Sequence, residues 1–330
     1  MNAADPAAVA EMTSSSLASL PIVDIQGLQS IDKAARAKVV ETIRAACLDK
    51  GFFYCVGHGV SPDLVKEVFA QSARFFALPM EEKLKVDKAL SRANRGYEPL
   101  RGQTLEPGTP PDLKEGFYLG IDIEPDDERA LRHFNAGPNL WPAGMPEFQE
   151  VTLRYFAVLQ DLAAVLLEGI ALSLDLPGNF FDPLKIDPLA TLRLLHYPPQ
   201  PANPAPGEKG CGAHTDFGGI TILMQDGVGG LQVWDHDGER WLDAPPLPGA
   251  FIVNLGDLIG RWTNDLYRST LHRVINSSGK ERYSVPFFFS GNPDHRVACI
   301  ESCLREGEEP KYEPVTVDEH IRRRYEKSYK

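Results

Sequence analysis

The spacing of apolar residues predicts one long helix near the middle of the chain. From Pro146 onward, apolar side chains recur at three- and four-residue steps, which is typical of a helix with one buried face. Asp175, Leu176 and Pro177 end the pattern. A helix of this length needs a large apolar partner, and we expect it to back a β-barrel. The positions that define its stripe are Phe148, Val151, Tyr155, Val158, Leu162 and Val165.

The region before this helix contains shorter elements. Apolar, β-branched runs predict strands at 22–25 and 51–56, and periodic segments predict helices at 32–49 and 62–77. Ser61 precedes Pro62 and is predicted to cap the second helix, and a short helix is expected to open at Met80. Residues 88–116 are rich in glycine, proline and charge and are predicted to form a long irregular segment, which in a compact domain is more often functional than idle.

The region after residue 192 has the pattern of a β-protein. Short β-rich runs alternate with Gly, Pro, Asn and Asp, which predicts a sandwich or barrel. The proline-rich stretch 198–206 falls between two such runs and is expected to be a surface loop, and 318–330 is predicted to form a charged helix. The runs lie at 192–197, 220–224, 231–234, 250–254, 271–275 and 283–289.

Composition narrows the class of protein. With 330 residues and 43% hydrophobic content, the chain can bury a large core, and its net charge of -12 argues against nucleic acid or an anionic membrane as a partner. The 5 cysteines are odd in number and show no C-x-x-C spacing, which indicates thiols in a reducing compartment such as the cytoplasm. Residues 1–19 lack the features of a secretory or transit signal and are predicted to be a flexible tail.

Three residues form a candidate metal site. His214 and Asp216 are one residue apart, so alternation along an extended strand would place both side chains on one face. His272 lies in a separate strand-like run and can supply a third ligand. Two imidazoles and one carboxylate hold ferrous iron and leave positions open for oxygen and an organic ligand. Cys211 is close in sequence but is not expected to be a ligand, because thiolate favours softer metals.

The segments around these residues resemble the core of the isopenicillin N synthase-like family of iron and 2-oxoglutarate dependent dioxygenases. They match in order and spacing: His214-Thr-Asp216-Phe-Gly-Gly, Gly229-Gly-Leu-Gln-Val233, Val253-Asn-Leu-Gly-Asp257, Leu271-His-Arg-Val274 and Arg282-Tyr-Ser-Val-Pro-Phe-Phe288. Segments 20–25, 51–60, 75–79 and 137–142 are similar to the N-terminal region of that family. The resemblance therefore covers nearly all of the chain after residue 19.

The resemblance implies a fold. It is α+β and mainly β, with a double-stranded β-helix (jelly-roll) core, an N-terminal helical region and a long backing helix. The domain organisation expected from it is a flexible tail at 1–19, an N-terminal α/β region at 20–145, and the backing helix with the jelly-roll core at 146–330.

The resemblance also implies an activity. Fe(II) and O2 would act with 2-oxoglutarate, which is oxidatively decarboxylated to succinate and carbon dioxide while a C–H bond of a small organic molecule is oxidised, with ascorbate as a candidate reductant. Hydroxylation, desaturation, demethylation and cyclisation all fit. Two members, isopenicillin N synthase and aminocyclopropane carboxylate oxidase, do not use 2-oxoglutarate, so an oxidase of that kind stays open. A non-catalytic jelly-roll binding protein is a further alternative, and a monomer or weak dimer is expected.

Three residues are candidates for binding 2-oxoglutarate. The guanidinium of Arg282 offers a planar fork for a carboxylate, and Ser284 lies on the same face of the strand and can add a hydroxyl. The resemblance adds Tyr197, although Leu195 stands where the family often has Asn. Isopenicillin N synthase keeps the same Arg-x-Ser pair for its own substrate, so the pair does not by itself identify the cosubstrate.

Four residues are predicted to line the substrate entrance, namely Tyr97, Lys114, Phe117 and Phe288. Three of them flank or lie at the ends of the irregular segment, and Phe288 follows the cosubstrate residues along their strand. In the alternative interpretation, Lys114 and the nearby Arg95 are solvated surface charges.

Overall fold

The N-terminal region folds largely as predicted. A computed structural model describes residues 20–201 and 203–328, so the predicted tail at 1–19 lies outside the described residues. Asp32 caps the first long helix by accepting a hydrogen bond from the Ala34 amide at 2.9 Å. Ser61 occupies the predicted cap position, but its side chain makes no capping hydrogen bond, so that detail of the prediction is wrong. The elements are β1 Ile22–Asp24, α1 Lys33–Asp49, β2 Phe52–Val56, α2 Pro62–Phe76 and α3 Met80–Leu84.

The segment predicted to be irregular, 88–116, contains one strand and the beginning of a second. β3 (Gly96–Glu98) pairs with β4 (Glu115–Gly120), and β4 pairs in turn with β5 (Leu189–Tyr197). Every residue of β4 is buried. The alternation of polar and apolar residues that identifies a half-exposed strand is therefore missing from its sequence, which explains why the strand was not predicted. A short helix, α4 (Glu128–Arg132), follows.

The long helix is confirmed. α5 spans Pro146–Ser173 and packs against α1, α2 and the sheet strands behind it. By length and composition it could cross a membrane, but 56% of its most apolar window is buried inside the protein. This burial is what the core helix of a globular domain shows.

All six strands predicted after residue 192 are present, and the described residues contain four more in this region, β6, β9, β13 and β14. β6 and β9 are only four residues long, β9 is largely polar, and β13 and β14 have two residues each. The elements are β6 Cys211–His214, β7 Ile220–Gln225, β8 Leu231–Asp235, β9 Arg240–Asp243, β10 Phe251–Leu255, α6 Asp257–Trp262, β11 His272–Val274, β12 Arg282–Gly291, β13 Arg296–Val297, β14 Val315–Thr316 and α7 Val317–Ser328.

Two facing sheets form the predicted jelly roll. The larger has the order β1-β2-β10-β7-β12-β5-β4-β3 and the smaller β6-β11-β8-β9. One hydrophobic cluster fills the space between the larger sheet and the helices, and a second lies between the sheets. β5 contributes to both, since Leu192 and Leu194 belong to the first cluster whereas Leu195 and Tyr197 belong to the second. Strands from both sides of residue 146 share the larger sheet, and the predicted domain division there stays a prediction.

Candidate active site

Two histidines meet across one strand pair of the smaller sheet. β6 and β11 are antiparallel, and His214 lies directly opposite His272 in their register. Cross-strand partners project to the same face of a sheet, and the two imidazole centroids are 4.2 Å apart. Pairing of the strands therefore places two nitrogen ligands side by side at the inner surface of the barrel.

Asp216 completes the cluster from the loop that follows β6. The strand ends at His214, so the prediction that His214 and Asp216 lie on one strand is wrong. The loop after β6 positions Asp216 instead. Asp216 Oδ1 lies 3.8 Å from His214 Nε2 and 3.7 Å from His272 Nε2. The candidate ligand atoms all lie within 4.8 Å of one another, a separation that one metal ion can bridge. Cys211 Sγ lies 3.9 Å from Nδ1 of His214, on the side away from the cluster.

Hydrogen bonds on the far side of each group orient its ligand atom. Nδ1 of His214 lies 2.8 Å from the Gly212 carbonyl and Nδ1 of His272 lies 3.2 Å from the Thr270 carbonyl. A carbonyl only accepts, so each Nδ1 carries the proton and each Nε2 offers a lone pair. The other oxygen of the carboxylate, Asp216 Oδ2, accepts two hydrogen bonds, which leaves Oδ1 directed at the two Nε2 atoms. The donor set and its orientation fit a ferrous ion.

The electrostatics of the cluster favour the protonation states that a metal requires. Burial lowers the pKa of His214 and also lowers the pKa of His272, so both rings stay neutral. Burial alone would raise the pKa of Asp216, but the two imidazoles and the hydrogen bonds from Asn254 and Thr221 outweigh it, and the net shift is downward. Two neutral imidazoles and one ionised carboxylate result.

The hydrogen bonds to Asp216 lead to a prediction. Thr221 Oγ1 donates to Oδ2 at 2.6 Å and Asn254 Nδ2 donates at 2.7 Å. We expect Thr221→Val, which keeps the shape and removes the hydroxyl, to weaken Fe(II) affinity by about tenfold or more, the range typical for partners of metal ligands. The measurement is an anaerobic metal titration.

A matched control comes from α5, where the buried Thr152 hydroxyl bonds only to carbonyls of its own helix. Thr152→Val should leave Fe(II) affinity unchanged. Equal affinities in wild type and Thr221→Val would show that Asp216 is oriented without this hydrogen bond.

Arg282 lies next to the cluster with one donor unused. Its side chain is 1% exposed, and its guanidinium stacks on the Tyr197 ring at 4.6 Å from the centroid. Nε donates to the Gly229 carbonyl at 2.6 Å and Nη2 donates to Gln225 Oε1 at 3.0 Å. Nη1 is buried and has no hydrogen-bond partner among the described residues. A buried guanidinium that is held by three contacts and has an unpaired nitrogen is suited to bind the carboxylate of a ligand.

Ser284 and Lys114 lie in the same cavity as Arg282. Ser284 is on the same face of β12 as Arg282, and its hydroxyl shares a hydrogen bond with Tyr197. Lys114 is 3% exposed and pairs with Asp112. The three candidate metal ligands also line this cavity. The structure thus brings all three predicted cosubstrate residues to the candidate metal centre.

Of the four residues predicted to line the entrance, two line the cavity and two lie in the core. Phe288 lines the cavity, and Lys114 lies at its Arg282 end instead of at an entrance. Tyr97 and Phe117 are both 0% exposed and belong to the core cluster between sheet and helices, outside the cavity lining. The alternative of solvated surface charges is also wrong, because Lys114 and Arg95 are both buried.

A second cavity adjoins the first at the metal cluster. The two share Leu105, Arg193, His214, Asp216 and Phe288. The lining of the second cavity includes Gln103, Arg193 and Tyr325, none of which was predicted as a site residue. Arg193 could have been identified from the sequence, because it is a charged residue inside the apolar run of β5. Tyr325 could not, because its position in the cavity depends on how α7 packs in the tertiary structure.

Comparisons with known proteins agree with this site. Residues 20–144 match the family described as non-haem dioxygenase in morphine synthesis N-terminal, and residues 188–291 match the 2OG-Fe(II) oxygenase superfamily. A 2-oxoglutarate-Fe(II) type oxidoreductase of Emericella nidulans, hxnY, is 49% identical over 314 residues, covering 94% of this chain and 90% of the relative.

Two solved structures are similar over nearly the whole chain. One is a full-length Neurospora crassa protein in complex with alpha-KG and thymine, with 30% identity, a TM-score of 0.81 and coverage of 93% of this chain and 97% of that one. The other is a 2OG-Fe(II) oxygenase family protein from Caulobacter crescentus, with 31% identity, a TM-score of 0.82 and coverage of 94% and 99%.

The chain belongs to the 2OG-Fe(II) oxygenase superfamily, which confirms the resemblance noted in the sequence. It is an Fe(II)- and 2-oxoglutarate-dependent dioxygenase that couples oxidative decarboxylation of 2-oxoglutarate to oxidation of a small organic molecule, with O2 as the oxidant. The alternatives of a 2-oxoglutarate-independent oxidase and of a non-catalytic jelly roll find no support among these relatives.

Proposed function

We propose that His214, Asp216 and His272 bind the ferrous ion, and that Arg282 and Ser284, with Tyr197, bind the distal carboxylate of 2-oxoglutarate. The observation that carries this proposal is the convergence of three oriented ligand atoms and the unused Nη1 of Arg282 on one buried cavity. When bound, iron and 2-oxoglutarate together supply oxygen activation and the oxidising power for C–H oxidation.

The residues around the iron site position and shield it. The fork of Arg282 fixes one end of the cosubstrate, so that its keto-acid end is directed toward the metal ligands. Lys114 adds a second positive charge at that end; burial lowers its pKa, but Asp112 and other neighbours outweigh burial and raise it above the ordinary value. Apolar side chains from both sheets complete the cavity wall and exclude water, namely Phe52, Leu223, Leu231 and Val274.

The prime substrate is proposed to bind in the adjoining cavity, with Phe288 at the boundary between the two. β12 alternates so that Arg282, Ser284 and Phe288 face the same side of the sheet. One strand therefore carries the cosubstrate contact at one end and a substrate contact at the other. Tyr97 and Phe117 are not part of this proposed site because they do not reach either cavity.

The test is succinate release by the iron-loaded protein. We expect slow release from 2-oxoglutarate that depends on Fe(II) and O2, with stimulation when a panel of small organic molecules includes a substrate. Product analysis by mass spectrometry then distinguishes hydroxylation, desaturation, demethylation and cyclisation by the change in mass. Oxygen consumption without succinate would contradict the proposed cosubstrate site.

The surroundings of the enzyme are also proposed from its chemistry. All five cysteines are free thiols in the structure, which supports a reducing compartment and hence the cytoplasm. The net charge of -12 supports a small-molecule substrate over nucleic acid or an anionic membrane. The role of ascorbate and the monomeric or weakly dimeric state stay predictions.

A further inference from the structure

We propose that the prime substrate carries a carboxylate, and that Arg95 and Arg193 bind this group in the cavity beside the metal cluster. This inference rests on the proposed function and specifies its substrate class. The cavity combines the two arginines with apolar side chains, among them Leu105, Leu189 and Phe288, which fits a small organic acid with an apolar body.

Arg95 is a buried cation that lacks a full set of partners. It is 3% exposed, and Nη2 donates to the Asn135 carbonyl at 2.7 Å. Its Nε is buried without a hydrogen-bond partner among the described residues. A carbonyl satisfies one donor but does not neutralise the charge, so the guanidinium keeps a need for an anion.

The surroundings of Arg95 do not fully supply that anion. Burial lowers the pKa of Arg95 to about 10, and the charge of Arg193 acts in the same direction while Asp122 and Tyr325 oppose it. Gly120 leaves space for this side chain, since a Cβ built there would lie 2.1 Å from Nη2 of Arg95. The fold therefore holds a guanidinium at this depth in spite of the cost of burial.

Arg193 is held so that its plane is fixed. Its guanidinium lies between two aromatic rings, 4.6 Å from the Tyr118 centroid and 4.8 Å from the Phe288 centroid. Stacking of this kind occupies the faces of the guanidinium, whereas planar recognition of a carboxylate uses its edge, where the N–H groups are. Arg193 and Phe288 both line the two cavities, as do the candidate ligands His214 and Asp216, so Arg193 lies where the substrate must meet the metal centre.

Arg193 and Arg282 serve different ends of the site. In the β5–β12 register, Arg282 lies opposite Tyr197, and Arg193 is four residues before Tyr197 on β5. Four residues of a strand span about 13 Å. Arg282 stacks on Tyr197 while Arg193 stacks on Phe288, which separates the two guanidiniums further. A second anionic group, distinct from the distal carboxylate of 2-oxoglutarate, is therefore expected near Arg193.

The rest of the cavity lining supports an acidic ligand. Among the described residues that line it, the single carboxylate is Asp216, which is committed to the metal cluster. Gln103 is 4% exposed, and its Oε1 is buried without a hydrogen-bond partner in the described part of the chain. Gln103 can also donate through its amide nitrogen, so it fits a ligand with polar groups besides the carboxylate.

The test compares acids with the matching amides. Protein loaded with Fe(II) and saturated with 2-oxoglutarate, so that Arg282 is occupied, is titrated without oxygen by calorimetry. The probes are benzoate against benzamide and hexanoate against hexanamide. We expect each acid to bind at least about tenfold more tightly than its amide, because the amide keeps the shape and loses the charge-assisted hydrogen bonds.

Variants locate the effect. Arg193→Gln should reduce the preference for acids to less than about threefold, and Arg193→Lys should give an intermediate value because the charge survives and the fork does not. Arg95→Lys is the conservative variant for the second arginine, and it should likewise give an intermediate preference for acids. Arg154→Gln is the charge-matched control: Arg154 pairs with Glu67 on the outside of α5, and its loss should leave the preference unchanged.

The outcomes separate this inference from the proposed function. Equal binding of acids and amides, an unchanged preference in Arg193→Gln and Arg95→Lys, or no measurable binding of either acid overturns the inference. Succinate release from 2-oxoglutarate is measured with the same wild-type preparation. If succinate is released while acids and amides bind alike, the inference alone fails; if no succinate is released, the proposed function fails.

Discussion

Replacement of His272 by Ala is expected to abolish turnover and to weaken Fe(II) binding by more than about a hundredfold. Loss of a group that only supports a metal ligand already costs about 10- to 100-fold, and His272 is proposed to bind the ion itself. Its ring opposes His214 across the strand pair, and among the described residues the candidate ligand group contains only His214 and Asp216 besides His272. The measurements are anaerobic metal titration and succinate release.

The fold is expected to survive this change. β11 keeps its backbone pairing with β6 and β8, and the variant removes a ring whose partners outside the metal cluster are the Thr270 carbonyl and the Phe52 ring. His236→Ala is the matched control because His236 is exposed and lies outside both cavities. Circular dichroism should show the same secondary structure in all three proteins. Full activity in His272→Ala would mean that the third ligand is another residue.

Asp216→Ala tests the same cluster from the carboxylate side. The two histidines remain and keep their orienting carbonyls, so weak metal binding is expected to persist while turnover is lost. His272→Ala and Asp216→Ala are expected to differ in residual metal binding, because the two rings are positioned by the strands, whereas the carboxylate is positioned by its own hydrogen bonds.

The sequence predicted the centre of the site better than its periphery. Residue type and spacing suffice for His214, Asp216 and His272, because the chemistry of ferrous iron restricts the ligands and the family resemblance fixes the third. Arg282 and Ser284 follow from alternation along one strand, a local property that the sequence displays. The six core strands and α5 were predicted for the same reason, since periodicity is local.

The predictions that failed depended on tertiary contacts. The alternative interpretation of Lys114 as a solvated charge followed from the usual exposure of lysine, and only tertiary structure shows that Lys114, just before β4, is buried beside Asp112. Tyr97 and Phe117 flank a segment that does reach the active site, but the strand register turns them toward α2 and α5. Tyr325 reaches the adjoining cavity from the last helix, more than a hundred residues beyond the candidate metal ligand Asp216.

Arg282→Ala is expected to weaken 2-oxoglutarate affinity by about thirty- to a hundredfold. The variant removes the charge-assisted hydrogen bonds to the distal carboxylate, a loss on the order of 2–3 kcal/mol. The carboxylate would then lose the planar fork of Arg282, since Ser284 and Tyr197 offer only neutral hydroxyls and Lys114 is already paired with Asp112. The measurement is succinate release as a function of 2-oxoglutarate concentration, with metal content matched among the proteins.

Two further variants distinguish recognition from packing. Arg282 is buried and stacks on Tyr197, so Arg282→Ala leaves a space that could disturb β5. Arg282→Lys retains a cation and most of the volume but loses the fork, and its affinity should lie between the other two. Arg240→Ala, at an exposed arginine on β9 whose partner is Asp235, should match wild type. If Arg282→Ala melts at the wild-type temperature and binds 2-oxoglutarate as tightly as wild type does, Arg282 does not hold the cosubstrate and another cation, with Lys114 first among the cavity residues, must do so.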